Sequence, residues 1–358
     1  MRLITFIPGN LAYGGIELHA VALCAAAARA GAEVTLVTTG VPLADHLQAQ
    51  LAGSGVRLRA FPWRGAKLEQ PLKLLWMNLL ALRQKADVVY TNGIGASATI
   101  LWRALKPGGR RVHHFHTACE DWEARTWPEA IRRLLTGVPE LIGCSRYTAS
   151  ALNHFLARND TLFLPCITRR VPPAEHEART LPPLRFGFVG RPTRLKGVDL
   201  VLAASRLPEL ADIEWELHGE GPEFPADAYR DHPRVRFFRG YSSVQELAER
   251  LARLDAVVLP TRQTEGRPIS LMEAMCAGLP WVSAPRGGIA EMAPSPFDAE
   301  LVPGDVTLEN FTVACRALAD RILRGETNSD RIRAHYEAEF APERVTDQWL
   351  RFLGITAT

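Results

Sequence analysis

Pro260-Thr-Arg-Gln-Thr-Glu-Gly-Arg-Pro-Ile-Ser-Leu-Met-Glu-Ala-Met-Cys-Ala-Gly-Leu-Pro280 is the stretch whose reading decides the fold. Four apolar residues, Ala256, Val257, Val258 and Leu259, lead into it, the continuous pattern of a strand covered on both faces. Pro268 suits the first helical position, where its missing N–H costs nothing. Gly278 followed by Pro280 is a helix stop. The run therefore reads strand, loop, helix. Glu265 falls on the loop and Glu273 about a turn and a half into the helix. The bare amides of the helix start lie between the two carboxylates, an anion seat by geometry and dipole.

The same unit recurs in both directions along the chain. Strands are expected at Leu3–Ile7, Glu33–Thr38, Val56–Ala60, Asp87–Thr91, Arg111–Phe115, Glu140–Cys144 and Thr161–Leu164, with an Ala-rich helix over about His19–Ala30. Arg169–Pro183, carrying Pro172, Pro173, Pro182 and Pro183, has linker composition. A second series follows at Leu184–Val189, Ile213–His218, Arg234–Phe238, Asp255–Leu259, Pro280–Ser283 and Glu300–Val302. Pro342–Phe352 reads as an amphipathic helix with Val345, Trp349, Leu350 and Phe352 on its apolar face. Alternation of this kind implies α/β architecture with parallel, doubly wound sheets. Ligands of such sheets bind beyond the carboxyl ends of the strands.

A chain of 358 residues is comfortable for two domains. Its net charge of +3 gives no reason to expect nucleic acid as a partner. The charge is uneven: residues 1–168 hold 18 Lys+Arg against 11 Asp+Glu, and residues 169–358 hold 24 against 28. A basic first half suits an anionic partner or membrane surface, and a solvated surface bias reads equally well. The six cysteines are scattered without a CxxC pair, which argues against a zinc site or disulfide framework and fits a reducing cytoplasm. Cys276 falls in a helical apolar pattern and is expected in the core. The opening Met-Arg-Leu-Ile-Thr-Phe-Ile-Pro is too short for a secretory segment, and no window approaches the ~20 apolar residues of a membrane span.

Candidate chemistry sits on the loops. In Phe186-Gly-Phe-Val-Gly-Arg-Pro-Thr-Arg-Leu-Lys-Gly-Val-Asp-Leu200 a strand runs into Gly190 and a helix starts near Gly197. Arg191 and Lys196 project from that loop as two fixed cations matching a diphosphate. Gly219 and Gly221 in His218-Gly-Glu-Gly-Pro222 permit close backbone approach to a base or ribose, with a simple turn as the plain alternative. Gly287-Gly288-Ile-Ala-Glu291 is a further loop entering a helix, with a structural role expected. Gly14-Gly15-Ile-Glu17 precedes the first helix but is neither a dinucleotide fingerprint nor a P-loop. His113-His-Phe-His116-Thr-Ala-Cys-Glu-Asp121 follows a strand. His116 and Asp121 could serve acid–base work or polar recognition, His113 and His114 read as strand residues, and no closing set of metal ligands is evident.

Taken in order and spacing, Gly14-Gly15, His116, Gly190-Arg191…Lys196-Gly197, His218-Gly-Glu-Gly-Pro222 and Glu265…Glu273 resemble the family 4 glycosyltransferases, also called glycosyl transferases group 1. The resemblance spans nearly the whole chain and is most specific over 186–291. It implies the GT-B fold: two Rossmann-like domains, 1–168 on the acceptor side and 184–340 on the nucleotide-sugar side, facing a cleft, with 169–183 as linker and 341–358 as a helix crossing back to the first domain. It implies that Arg191 and Lys196 hold the donor diphosphate, that Glu273 binds the ribose hydroxyls and that Glu265 lies by the transferred sugar. His116 would touch the sugar from the opposite domain, and Gly15 would approach the phosphates. Where the family often has Glu-Gly-Phe-Gly-Leu-Pro, this chain has Glu265-Gly266-Arg267-Pro268-Ile269-Ser270. Pro268 removes one amide donor, so phosphate contacts fall to Ile269, Ser270 or their neighbours, with Arg267 adding charge.

The resemblance further implies a retaining, metal-independent hexosyltransferase without a cofactor, taking its sugar from a UDP- or GDP-sugar. The expected acceptor is a glycan, a lipid-linked sugar or a small molecule in cell-surface polysaccharide or glycolipid synthesis. Lys67–Lys85 is apolar with basic ends, and Trp102, Arg103, Lys106, Arg110 and Arg111 follow it closely. Such segments suit peripheral contact with an anionic membrane at the inner face of the cell, against the plain alternative of a core helix. A cytoplasmic location is expected. A sugar-nucleotide epimerase and a non-catalytic sugar-nucleotide-binding protein are the rival readings, separated by donor-dependent release of nucleoside diphosphate.

Overall fold

The computed structural model describes residues 1–7, 14–39, 41–61, 69–93, 109–119, 124–175 and 180–355. These separate into two compact units, one made of 1–168 with 342–358 and the other of 169–341. Both are Rossmann-like.

The first unit is built on strands β1 (Arg2–Ile7), β2 (Glu33–Thr38), β3 (Arg57–Ala60), β4 (Val88–Gly93), β5 (Arg110–Phe115), β6 (Glu140–Gly143) and β7 (Leu162–Phe163), in the order β3-β2-β1-β4-β5-β6-β7. Every pairing in it is parallel. Helices α1 (Gly15–Arg29), α2 (Asp45–Leu51), α3 (Glu69–Gln84), α4 (Glu129–Thr136) and α5 (Arg146–Leu156) connect the strands. The helix α1 begins four residues before its expected start because Gly14, extended at φ 179°, caps it.

The second unit repeats the plan with β8 (Leu184–Val189), β9 (Ile213–His218), β10 (Val235–Phe238), β11 (Ala256–Leu259), β12 (Trp281–Ser283) and β13 (Ala299–Leu301), ordered β10-β9-β8-β11-β12-β13 and again parallel. Its helices are α6 (Val198–Ala204), α7 (Val244–Leu251), α8 (Ile269–Ala277), α9 (Leu308–Leu323) and α10 (Ser329–Glu339). Phe186, Trp215, Val257, Val258 and Trp281 on the central strands are wholly buried, as a parallel sheet covered on both faces requires. The strand order reverses direction between β1 and β4 and between β8 and β11. At such switch points adjacent loops part and leave a crevice.

Three expectations shift. The stretch read as a linker is docked on the second unit from its first residue. Arg169 is bonded to Glu273 and Arg170 to Glu337, and the Cys276 thiol donates to the Val171 carbonyl at 3.5 Å. Cys276 is accordingly half-buried, packed against the edge of that unit's core and not within it. The last helix, α11 (Pro342–Leu353), buries Val345, Trp349 and Leu353, while Leu350 and Phe352 are half-buried. Spacing by four keeps the first three on one face. The helix belongs to the first unit, where the Trp349 indole N–H donates to the Pro165 carbonyl at 2.7 Å and Arg110 Nη2 donates to the Phe352 carbonyl at 3.0 Å.

Candidate active site

In the second unit the switch point brings together the loops that follow β8 and β11. The Leu195 carbonyl accepts from the Arg262 and Gln263 amides at 2.7 and 3.1 Å. Arg262 also reaches across to Asp199 at 2.8 Å. The contact is backbone on backbone, and glycine makes it possible. Gly197 caps α6 in the left-handed region at φ 79°, and a Cβ there would lie 2.1 Å from the Pro260 carbonyl oxygen. Gly219, after β9, is equally constrained, since a Cβ would lie 1.9 Å from the Gly190 oxygen. A Cβ on Gly221 would stand 3.1 Å from the Pro192 oxygen, whereas one on Gly190 would meet open space. The Gly190 amide donates to the His218 carbonyl at 2.9 Å. The glycines of two motifs, meeting the Pro260 carbonyl of a third, thus weld one platform.

On this platform Lys196 Nζ stands 3.6 Å from Glu265 Oε1, an ion pair without a hydrogen bond. Burial pushes the Glu265 carboxyl above its ordinary range, and the nearby Lys196 opposes that only in part. The Glu265 oxygen has no hydrogen-bond partner among the described residues. The neighbouring Arg191 is exposed, leaving its bidentate donors for a ligand. The Glu265 carbonyl accepts from the Gly288 amide at 3.0 Å, which ties in the Gly287–Met292 turn.

The helix start differs in detail from expectation. Pro268 is the N-cap, at φ −63° and ψ 125°, one residue before the helix proper. Its carbonyl opens the ladder by accepting from Leu271 at 3.2 Å. The amides of Ile269 and Ser270 precede that bond and have no intrahelical acceptor. Arg267 does not add free charge to the site. Its side chain is 3% exposed, pairs with Glu291 at 2.8 Å and lies over the Phe340 ring. Gly266, beside it, is buried.

Glu273 is 2% exposed, and its Oε1 accepts from Arg169 Nε at 2.7 Å. Arg169 Nη2 donates in turn to the Tyr241 hydroxyl at 2.6 Å. Burial raises the Glu273 carboxyl against the pull of Arg169, and burial followed by the Glu273 charge pushes Tyr241 up to about 12. Neither Arg169 nor Tyr241 was visible beside Glu273, because Arg169 meets Glu273 from 104 positions away and Tyr241 meets Arg169 from 72. His218 takes a structural place. It is buried, stacks on Phe238 at 4.7 Å and lies 3.2 Å from Glu216.

In the first unit His116 follows β5 and is half-buried. Its Nδ1 lies 3.4 Å from the Cys166 thiol, and its Nε2 has no partner among the described residues. Around it stand His19 and His114, with ring centroids 5.6 and 4.2 Å away. His113 and His114 are strand residues as expected, but His114 belongs to a buried chain. The Ile167 amide donates to His19 Nδ1 at 2.9 Å, so neutral His19 carries its proton on Nε2, 2.9 Å from the Tyr90 hydroxyl. Tyr90 in turn stands 2.9 Å from His114 Nδ1. Ligand nitrogens of His19, His114 and His116 all lie within 4.8 Å of one another. Yet the hydrogen bonds from Ile167 and Tyr90 commit the lone pairs of His19 Nδ1 and His114 Nδ1, while His116 Nδ1 faces the Cys166 thiol. Burial holds His19 and His113 down to about 3, and it pushes His114 and His116 far down as well. Gly14 and Gly15 open α1, the helix that carries His19. Asp121 lies outside the described residues.

Comparison with known proteins matches both halves of the chain. The family described as glycosyltransferase family 4 matches residues 13–163, and that described as glycosyl transferases group 1 matches residues 183–321. A curated relative, the amylovoran biosynthesis glycosyltransferase AmsK of Erwinia amylovora, is 30% identical over 173 residues, which are 44% of this chain and 41% of that protein. Among solved structures, Anabaena HepE in complex with UDP and glucose aligns with a TM-score of 0.74 at 16% identity, covering 99% of this chain and 100% of that one. Sucrose-phosphate synthase of Thermosynechococcus elongatus gives 0.77 at 18%, covering 99% and 98%. The lipopolysaccharide-biosynthesis glycosyltransferase WaaG gives 0.71 at 18%, covering all of both chains. These likenesses establish the GT-B fold. With one family covering each half, the chain belongs to the group 1, family 4 glycosyltransferases.

Proposed function

We propose that the protein transfers a sugar, with retention of anomeric configuration, from a nucleoside diphosphate sugar to a glycan or lipid-linked acceptor. The observation that carries this reading is the junction at the switch point, where Lys196 and Glu265 are brought to 3.6 Å beside the exposed Arg191 and the start of α8. Lys196, Arg191 and the Ile269 and Ser270 amides would take the diphosphate, Glu265 a sugar hydroxyl and Glu273 the ribose. Gly15 and His116 of the first unit would serve the phosphates and the sugar. Support for the donor class comes from HepE, solved with UDP-glucose, and support for polysaccharide synthesis from the amylovoran relative.

In the proposed reaction the acceptor hydroxyl attacks the anomeric carbon on the face the diphosphate leaves. The carbon–oxygen bond to phosphate breaks, and a donor phosphate oxygen takes the acceptor's proton. Charge grows on the leaving diphosphate and spreads over the anomeric centre as oxocarbenium character. The fixed cations and helix amides act on that growing charge, the work for which other enzymes recruit a metal ion. A membrane-side acceptor suits the exposed apolar stripe of α3, where Leu75, Leu79 and Leu82 are 57%, 44% and 56% exposed. Arg2, Arg57, Arg59 and Arg83 line a surface pocket next to that helix's end, with Glu33 among them paired to Arg2 and Arg57. An apolar stripe with a basic rim fits an anionic bilayer. Among the described residues no helix is long and apolar enough to cross a membrane.

A thermal-shift panel of nucleotide sugars, followed by an assay for donor-dependent release of nucleoside diphosphate, tests the class. Product with inverted configuration, or free altered sugar nucleotide with no acceptor used, refutes the proposal. Flotation with anionic and neutral liposomes tests the membrane contact, which fails if the two bind alike.

A further inference from the structure

We propose that Arg169 and Tyr241 are positioning residues that dedicate Glu273 to a single directed contact with the ribose diol of the donor; the inference rests on the ribose role given to Glu273 above. The carboxylate is held from one side only. Arg169 Nε takes Oε1 at 2.7 Å, and Oε2 has no partner among the described residues. Arg169 itself cannot swing, because its second guanidinium edge is bonded to the Tyr241 hydroxyl at 2.6 Å and its carbon lies 5.1 Å from the Tyr241 ring centroid. A planar fork bridging two fixed partners orients a carboxylate in a way that a lysine point charge does not. The three residues come from different elements: the start of the unit, the loop before α7, and the fifth position of α8.

The anchoring segment is itself rigid. Arg170 pairs with Glu337 of α10, and the Val171 carbonyl accepts from the Cys276 thiol one turn along α8 from Glu273. Arg169 is therefore held at both its backbone and its side chain. A carboxylate whose second oxygen is aimed and unspent can accept a short, charge-assisted bond from a hydroxyl. Preorganisation of this kind lowers the ordering cost of binding.

The test compares binding of UDP with 2′,3′-dideoxy-UDP by calorimetry, with GDP and its dideoxy analogue run in parallel, in wild type, Glu273→Gln, Arg169→Lys, Arg169→Gln and Tyr241→Phe. Wild type is expected to favour the ribonucleotide by roughly 10- to 100-fold, the range of a hydrogen bond to a charged group. In Arg169→Lys and Tyr241→Phe that ratio falls severalfold while dideoxynucleotide affinity and thermal midpoint stay near wild type. A purely structural role would weaken both ligands alike. Arg169→Lys and Arg169→Gln both keeping the wild-type ratio overturns the positioning role while leaving the ribose contact standing. Wild type showing no dependence on the ribose hydroxyls, or Glu273→Gln keeping the full wild-type ratio, removes the ribose role of Glu273, and the positioning role with it.

Discussion

Replacing Gly197 by alanine should damage the fold and the site together, and the amount can be worked out. Gly197 has φ 79°, and the added Cβ would stand 2.1 Å from the Pro260 carbonyl oxygen and 2.8 Å from its carbon. The left-handed backbone costs an alanine about 1–2 kcal/mol. Relieving the overlap means moving backbone, not a flexible side-chain tip, at about 1–3 kcal/mol. The Pro260 side cannot retreat freely, because Arg262 N–H donates to the Leu195 carbonyl at 2.7 Å across the same junction. Gly325 supplies the control: it has φ 68° and nothing within 4 Å of its ideal Cβ. Gly325→Ala therefore carries the backbone cost alone. For a unit of this size each kcal/mol lowers the melting temperature by ~2–4 °C. Gly197→Ala should lose roughly 4–20 °C and Gly325→Ala about 2–8 °C by calorimetry. Kinetics should separate them further. Lys196 precedes Gly197, and a displacement of its ammonium by about 1 Å should cut donor kcat/KM by ~100-fold, while Gly325→Ala retains wild-type turnover. Equal melting temperatures for the two variants, with wild-type donor kinetics in Gly197→Ala, would refute the reasoning.

Three further outcomes are expected. Lys196→Ala should lower kcat/KM by ~100- to 1000-fold with the fold intact, which radiolabelled sugar transfer and circular dichroism together check; activity within tenfold of wild type excludes its phosphate role. Glu265→Gln should abolish transfer yet melt at or above wild type at neutral pH. An acid raised by burial favours the fold while protonated and loses that contribution as pH rises through its folded pKa, so removing the charge relieves a cost; a variant less stable than wild type at pH 7 contradicts this. The first unit should weaken in acid: His19 and His113 are depressed from 6.5 to about 3, so their contribution is whole above pH 6.5 and lost as pH falls toward 3. The limiting slope is ~1.4 kcal/mol per pH unit per histidine, and urea unfolding of His113→Asn between pH 7 and 4 should show a shallower loss than wild type; parallel curves argue against it.

The loops proposed to hold the donor were legible in the sequence because each motif is local. A Gly-Arg…Lys-Gly frame or a Glu…Glu spacing sits within one βα unit, and strand, loop and helix positions follow from short-range pattern. Strands such as Glu33–Thr38, Leu184–Val189 and Ile213–His218 were readable to the residue, since short runs rich in β-branched, aromatic and aliphatic residues bounded by turn-forming residues mark strands locally. The residues that complete the site were not legible. Arg169 lay in a proline-rich stretch with the composition of a linker, Tyr241 in an ordinary turn, and His19 at an apolar position of a helix. Arg267 read as free charge because its partner Glu291 is 24 residues away.

By itself the sequence determined the family, the two doubly wound units and the positions of Arg191, Lys196 and Glu265 on loops and of Glu273 on a helix. Periodicity and loop chemistry are properties of contiguous residues. Tertiary structure alone decided which of those groups are free. It placed Lys196 against Glu265, spent Arg267 on Glu291 and left Glu273 with one oxygen held by Arg169. The first depends on backbones meeting at the switch point between β8 and β11, where Gly197 leaves no room for a side chain, and the other two on side chains 24 and 104 positions apart in sequence, which only the fold brings together.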